Sequence, residues 1–342
     1  MVYKIIAGIG IFLVGFLGSY LILSNTVKRN VQVVNNQPDI KEVIKNNVIP
    51  NTETPPKNAD SYSVILLGSG GSGHSGGGLT DSIILVNINP QDKKAALISI
   101  PRDLWVNGGY KINASYSNGG YDNLRGVIQE ITGLRPNYFV STDFTSFTNL
   151  INSYENIEIN IPKTFDDPLY PIKGQENNTC GKTEAEINAL KAQYTDFNLE
   201  KQFTCRFEHL HFETGKVAVN GETALKIARS RHGDNDFGRS LRQMAILKGF
   251  LAKLISVDGF KNIEKTFNTI IKSVKTNADL NTVKDLAQIF GDPNAYKVTE
   301  IQLTDQNVLT SSKSQAGAYI LIPRAGVNNF DEVKKYITDS LF

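Results

Sequence analysis

The amino-acid sequence predicts an α/β fold: a three-layer α/β/α sandwich with a central mixed sheet, preceded by one transmembrane helix. Short apolar runs between residues 61 and 100 are typical of strands that are covered on both faces. Helical patterns then alternate with further strands, as in layered α/β domains. Of the 342 residues, 40% are hydrophobic and 20% are charged, so the chain can bury a sizeable core.

The transmembrane helix is predicted from residues 3–23, an apolar stretch whose one charged residue is Lys4. A helix rises about 1.5 Å per residue, so this stretch can cross a hydrocarbon core of about 30 Å. We expect residues 1–24 to form a cytoplasmic start and a membrane anchor. A cleaved signal peptide is the alternative, although no A-x-A-like site follows. Basic residues flank both ends, so they do not fix the orientation.

Residues 25–60 are rich in Asn, Pro, Lys and Val and show no helical period, which predicts a flexible linker. The remaining residues, 61–342, form the predicted globular domain. It begins with a strand that ends in a glycine-rich loop at residues 68–78, and strands at 81–88 and 95–100 follow. The other predicted elements are strands at 157–162 and 297–303 and helices near 123–132, 144–152, 221–229, 236–255, 260–274, 280–290 and 329–340.

An insertion at about residues 171–212 is predicted to be a loop with a short helix near 183–194. It contains Cys180 and Cys205, the two cysteines of the chain. Two cysteines in one segment suit a disulfide bond in an oxidising compartment, and two unrelated thiols are the alternative. Two cysteines without clustered histidines do not make a four-ligand metal site.

Polar residues of kinds that are rarely buried in a hydrophobic core occur in four places. They are at the start of the strand at 81–88, just after the strand at 95–100, at the end of the helix at 221–229 and at the start of the helix at 236–255. In the helix at 236–255, positions i, i+3 and i+7 are Asp236, Arg239 and Gln243. They share one face, within about 60° of each other at 100° per residue. Arg242 points elsewhere. The candidate site residues are four arginines (Arg102, Arg229, Arg231, Arg239), two carboxylates (Asp81, Asp236) and Gln243.

These residue types suit a pyrophosphate with Mg²⁺, because arginine binds phosphate with two hydrogen bonds and carboxylates hold Mg²⁺. Each residue also has a structural alternative: a surface ion pair for Arg102 with Asp103, cations at a helix end for Arg229 and Arg231, and a helix cap for Asp236. The glycine-rich loop lacks the lysine of a P-loop. The net charge of +2 and the lack of a helix-turn-helix pattern do not support nucleic-acid binding.

Four segments occur in a specific order: DSIILVNINP, KKAALISIPRDLWV, KINASYSNGG and NGETALKIARSRHGDNDFGRSLRQ. Together they resemble the LytR-CpsA-Psr family of cell-wall glycopolymer transferases, over about residues 63–255 and onward to 342. The resemblance implies an α/β/α sandwich with a hydrophobic groove for a polyprenyl tail. It also implies a membrane-anchored, extracytoplasmic phosphotransferase that moves a glycopolymer from a polyprenyl-pyrophosphate carrier to peptidoglycan, with Mg²⁺ (or Mn²⁺) as cofactor.

By the same resemblance, Asp81 and Asp236 are expected to hold the metal, and Arg102, Arg229, Arg231 and Arg239 to bind the pyrophosphate. Gln243 matches the family's amide position, and Lys111 and Asn113 match its KINA segment near the headgroup. These three residues and Asp103 are expected to bind substrate, and Asp81 or Asp103 is a candidate base. The chain departs from the family in the glycine-rich loop, where relatives often carry Asp and Arg and this chain has His74.

Two other functions stay open at this point. The same residues would serve a hydrolase that cleaves the polyprenyl-pyrophosphate substrate with water as the acceptor. A scaffold that only binds the lipid carrier would need the groove but not the metal ligands. The sequence does not identify the polymer, the acceptor or the oligomeric state. His209 and His211, two residues apart on an extended segment, are a weaker metal-binding candidate because the sequence shows no further ligand beside them.

Overall fold

The computed structural model describes residues 39–50, 55–56, 59–73, 76–231, 236–256 and 263–341, without the side chains of Asp236, Ile255 and Ser256. The predicted anchor (1–24), most of the predicted linker and His74 lie outside these residues. Across the described ranges, no helix combines the length and the apolar character that a membrane crossing requires.

The described residues form ten α-helices and fourteen strands. The helices are α1 (Ile40–Asn47), α2 (Ser115–Thr132), α3 (Phe144–Asn152), α4 (Glu184–Gln193), α5 (Asp196–Glu200), α6 (Gly221–Arg229), α7 (Asp236–Ser256), α8 (Ile263–Ile270), α9 (Leu280–Phe290) and α10 (Asp331–Leu341). The strands are β1 (Tyr62–Ser69), β2 (Thr80–Asn89), β3 (Lys94–Ser99), β4 (Trp105–Val106), β5 (Tyr110–Lys111), β6 (Tyr138–Asp143), β7 (Ile157–Ile161), β8 (Phe165–Pro171), β9 (Phe207–Phe212), β10 (Gly215–Val219), β11 (Lys275–Thr276), β12 (Lys297–Gln302), β13 (Leu309–Lys313) and β14 (Tyr319–Pro323).

The central sheet has six strands in the order β11-β6-β1-β2-β3-β12. Strand β2 runs antiparallel to both β1 and β3, whereas β6 runs parallel to β1 and β12 parallel to β3. The prediction of a mixed sheet is therefore confirmed. Because β1 ends where β2 begins and where β6 ends, the residues at these three positions meet at one edge of the sheet.

Helices cover both faces of this sheet, which confirms the three layers. Side chains alternate between the faces, so Ile84 and Val86 join the core with α6, α7 and α9, whereas Ile83 and Leu85 join the core with α2 and α10. The continuous apolar runs of the sequence are explained by this double coverage.

Most helices lie where the sequence predicts them, with shifts at their ends. Asn220 caps α6 by accepting a hydrogen bond from the backbone N–H of Thr223 at 2.9 Å. Helix α2 begins eight residues earlier than predicted and contains a break with non-helical backbone at Gly119 and Gly120, where Gly120 has a φ of 66°. Gly133 ends this helix in the left-handed conformation, as expected.

The prediction of an irregular linker up to residue 60 is wrong for residues 39–50. Helix α1 packs Ile40, Val43 and Ile44 against the core, and Asn47 donates a hydrogen bond to the carbonyl oxygen of Ile271 at 2.7 Å. The apolar side chains at spacing i, i+3 and i+4 give this helix one partly buried face. The surrounding Asn and Lys residues obscure that pattern in the sequence.

The predicted insertion is an arm that extends from a stem made of β8 and β9. Helix α4 lies where the short helix was predicted, and Thr183 and Glu186 form a capping box at its start. Cys180 and Cys205 are joined by a disulfide bond with a Cα–Cα distance of 5.6 Å, so the predicted pairing is confirmed. The bond closes a loop within the arm.

Candidate functional site

A cavity of about 520 Å³ lies between the sheet and helices α3, α6, α7 and α8. Helix α7 contributes Arg239 and Gln243 near its start and Ile246, Leu247 and Phe250 further along. At a rise of about 1.5 Å per residue, the lining changes from polar to apolar over roughly 16 Å of this helix. The cavity therefore offers a charged mouth that continues into an apolar groove.

The mouth contains a carboxylate and a guanidinium that are bonded to each other. Asp81 is the second residue of β2 and Arg102 follows β3, and the antiparallel pairing of these strands brings them to the same edge. The guanidinium of Arg102 donates a hydrogen bond to Asp81, and its Nε lies 3.5 Å from Oδ2 of Asp103. Asp103 is also bonded to Nζ of Lys111 at 2.6 Å. Arg102 thus lies between two carboxylates.

The backbone after α6 is fixed by two buried charged side chains. Asp167 of β8 is fully buried and accepts hydrogen bonds from the Ser230 hydroxyl at 2.8 Å and from the backbone N–H of Arg231 at 3.2 Å. Arg242, which is also buried, donates to the carbonyl oxygens of Ser230 at 2.6 Å and Ile227 at 2.9 Å. We call Asp167 and Arg242 the clamp, because they position the segment that carries Arg229 and Arg231.

Arg229 is held by aromatic side chains. Its guanidinium lies over the ring of Phe144, 4.4 Å from the ring centre, and donates a hydrogen bond to the hydroxyl oxygen of Tyr170 at 3.4 Å. Burial raises the pKa of Tyr170 above its ordinary value, and the nearby positive charge of Arg229 opposes this rise. Tyr170 is therefore a neutral phenol at physiological pH.

Arg239 and Gln243 lie on one face of α7 and line the cavity, as predicted. The side-chain amide of Gln243 also donates to the carbonyl oxygen of Ala228 at 3.2 Å, which connects α7 to α6. Asp236 is the first residue of α7, but its side chain lies outside the described structure. Its predicted role as a metal ligand therefore stays a prediction.

The structure brings most of the predicted residues together and separates two of them. Lys111 is bonded to Asp103, and Asn113 is buried with its carbonyl oxygen accepting a hydrogen bond from Thr80 at 3.1 Å. Neither lines the cavity, but their partners Asp103 and Thr80 are next to Arg102 and Asp81 in the chain. The predicted residues that line the cavity are Asp81, Arg102, Arg229, Arg231, Arg239 and Gln243. Asp103 lines an adjoining cavity of about 230 Å³ together with Asp81 and Arg102.

Asp143 also lines the mouth, and sequence reasoning missed it. It ends β6 and caps α3 by accepting a hydrogen bond from the backbone N–H of Ser146 at 2.8 Å. The glycine-rich loop passes close to it: a Cβ atom at Gly71, where φ is 79°, would lie 2.8 Å from the Cβ of Asp143. The position of Asp143 between a strand and a helix was the available signal, but a cap alone explains such a residue.

Comparison with known proteins agrees with this fold. The model of the LytR_cpsA_psr family matches residues 22–333. The polyisoprenyl-teichoic acid–peptidoglycan teichoic acid transferase TagT of Bacillus subtilis (strain 168) is 26% identical over 353 residues, which cover 99% of this chain and 94% of that protein.

Two solved structures are similar in fold. The crystal structure of B. subtilis TagV has a TM-score of 0.58 at 26% identity, covering 82% of this chain and 97% of that chain. A structure described as TagT bound to LIIa-WTA has a TM-score of 0.55 at 23% identity, covering 86% of this chain and 96% of that chain. The family match extends over most of the sequence and includes every residue that lines the charged mouth. The chain belongs to the LytR-CpsA-Psr family.

Proposed function

We propose that this protein transfers a glycopolymer from a polyprenyl-pyrophosphate carrier to a hydroxyl group of peptidoglycan. The observation that carries the proposal is the single cavity that joins an arginine-rich mouth to an apolar groove. A polyprenyl pyrophosphate has the same two parts, a charged headgroup and an apolar tail. Relatives named as teichoic acid transferases, at about 25% identity, support the same reaction class.

In the reaction, the acceptor oxygen attacks the phosphorus that carries the glycan, and the bond from this phosphorus to the bridging oxygen breaks. The products are a phosphodiester between glycan and peptidoglycan, polyprenyl phosphate and one proton. Positioning and charge neutralisation dominate phosphoryl transfer. We assign the neutralising role to Arg102, Arg229, Arg231 and Arg239, and Gln243 orients a phosphate oxygen by hydrogen bonding.

The carboxylates of the mouth fit a magnesium ion, because Mg²⁺ prefers oxygen ligands and Asp81 and Asp143 line the same cavity. Asp81 would hold the ion with Asp236 or Asp143, and Mg²⁺ when bound would neutralise charge on the pyrophosphate oxygens. Arg102 is bonded to Asp81 in the structure, so a pyrophosphate that takes this guanidinium would release a carboxylate oxygen. We assign proton acceptance from the acceptor hydroxyl to Asp81 or Asp103, as the sequence suggested.

We propose further that the protein is anchored in the cell membrane by residues 1–24 and that its catalytic domain lies outside the cytoplasm. The apolar run of residues 3–23 and the disulfide bond between Cys180 and Cys205 support this placement. A membrane anchor would also keep the groove close to the lipid carrier.

The test uses the full chain in detergent, a polyprenyl-pyrophosphate saccharide, Mg²⁺ and peptidoglycan oligomers, with products identified by mass spectrometry. We expect polyprenyl phosphate and an oligomer that carries the saccharide phosphate. Arg231→Ala should reduce transfer by about 100-fold or more, because a donor to the transferring group is lost. Arg135→Ala, which removes an exposed arginine beside α2, is the matched control and should leave transfer unchanged.

Other products would favour the hydrolase or the scaffold instead of the transferase. Free saccharide phosphate, released equally with and without oligomers, would indicate a hydrolase. Tight binding of the lipid without release would indicate a carrier-binding scaffold. Full activity of Arg231→Ala would contradict the proposed arrangement of the mouth.

A further inference from the structure

Two histidines and a carboxylate converge on the stem of the arm, on the side away from the clamp. His209 Nε2 lies 2.6 Å and His211 Nδ1 lies 3.0 Å from the same oxygen, Oδ1 of Asp166. The one ligand atom that each residue offers lies within 4.8 Å of the other two. All three side chains are about half exposed, so an ion has access to them.

The strand pairing explains this convergence. His211 is directly opposite Asp166 in the β8–β9 register, and His209, two residues earlier, points to the same face of the strand. The backbone of both strands therefore places the three groups before any ion arrives. The strand pairing identifies Asp166 as the third ligand, which the spacing of the two histidines in the sequence does not reveal.

A second carboxylate orients one of the rings. His211 Nε2 lies 2.9 Å from Oε1 of Glu213, and Oε2 of Glu213 accepts a hydrogen bond from the Thr164 hydroxyl at 2.8 Å. When His211 Nε2–H donates to Glu213, Nδ1 of a neutral ring presents its lone pair toward Asp166. Metal-binding histidines are commonly held in this way by a carboxylate on the other nitrogen.

We propose that Asp166, His209 and His211 bind a divalent transition-metal ion, of which Zn²⁺ is the closest match, and that this ion cross-links the two strands of the stem. Imidazole and carboxylate ligands suit Zn²⁺, with bonds of about 2.0–2.2 Å. Such bonds keep ligand atoms roughly 3.3 Å apart in a tetrahedral site, so the exposed side chains need to move by about 1 Å. Water fills the remaining coordination position.

This site is separate from the charged mouth but adjacent to its support. Asp166 and Asp167 are neighbours on β8 with side chains on opposite faces, and Asp167 holds Ser230 and Arg231. The strand pairing becomes irregular between Asp167 and Tyr170. An ion at Asp166 fixes the regular part of the stem directly beside this irregularity and so keeps the carboxylate of Asp167 in place.

The test measures Zn²⁺ binding to the full chain after treatment with a chelator, by calorimetry and by competition with a colorimetric zinc chelator. With excess Mg²⁺ present to occupy the carboxylates of the mouth, we expect one Zn²⁺ per chain and a rise in the melting temperature. His209→Ala combined with His211→Ala should weaken binding at this site by at least 100-fold and abolish the rise. Glu213→Gln should weaken it by about 10-fold, because the ring of His211 is less well oriented.

The matched control is His74→Ala combined with His232→Ala, which also removes two imidazole groups and should bind Zn²⁺ as the unsubstituted chain does. Far-ultraviolet circular dichroism of each metal-free variant checks that it is folded. Zn²⁺ binding that is unchanged in the His209 and His211 variant, or that requires His74 or His232, would overturn the proposal. A dissociation constant weaker than about 1 mM for the unsubstituted chain would also overturn it.

Discussion

The two faces of the central sheet differ in how completely they are covered. On the face toward α2 and α10, Ile65, Ile83 and Phe139 are fully buried. On the other face, their neighbours Leu66, Ile84 and Val140 line the cavity. The same three strands therefore build a closed core on one side and the wall of an open cavity on the other. We expect substitutions to change mainly stability on the closed face and mainly activity on the open face.

The largest expected effect is on the closed face. Phe139→Ala should lower the free energy of unfolding by about 3–5 kcal/mol, because it leaves a cavity where the ring stacks on Tyr121. Val140→Ala is the control on the open face and should cost less than about 1 kcal/mol, because Val140 already borders open space. Denaturant unfolding measures both. Equal losses would contradict the difference between the faces.

A smaller effect is expected at the clamp. Asp167→Ala leaves the Ser230 hydroxyl and the Arg231 N–H without their buried acceptor, at a cost of about 1–3 kcal/mol. Transfer should fall by about 10-fold or more, because Arg231 loses its anchor. Asp167→Asn retains an acceptor oxygen and should recover part of both losses. Transfer that survives in Asp167→Ala while stability falls would show that the clamp has no part in positioning Arg231.

The smallest effect on stability is expected in the apolar groove. Leu247→Ala should cost less than about 1 kcal/mol of unfolding free energy, because Leu247 is only partly buried. It should raise the KM several-fold for a carrier with a long polyprenyl tail, because apolar contact is lost. A carrier with a short tail serves as the internal control and should show no change. An equal rise for both carriers would place the tail elsewhere.

Much of the sheet and of the charged mouth could be predicted because the signals are local. Continuous apolar runs predict β1, β2 and β3, and the i, i+3, i+7 spacing predicts that Arg239 and Gln243 share a face. The supporting residues could not be predicted in this way. Asp167 and Tyr170 lie about 60 positions from the arginine segment that they hold, and no local period records such a pairing.

Arg242 shows a further limit of helical periodicity. It points away from the face of Arg239 and Gln243, as expected, but this direction takes it under the segment that carries Arg229 and Arg231. Helical spacing predicts the direction in which a side chain points, but it does not predict which residues the side chain contacts. Helix α1 differs from Arg242, because the pattern that predicts it is local. Its apolar residues at i, i+3 and i+4 were obscured by the surrounding polar residues.

The arm has a consequence for how the chain tolerates change. Its disulfide bond joins two residues beyond the β8–β9 stem, so the closed loop contains no strand of the central sheet. Reduction of this bond should therefore release one local unit, which amide hydrogen exchange would detect as faster opening of α4 and α5 only. The closed loop lies beyond the stem, so we expect that residues can be added to or removed from its tip without a change in the central sheet.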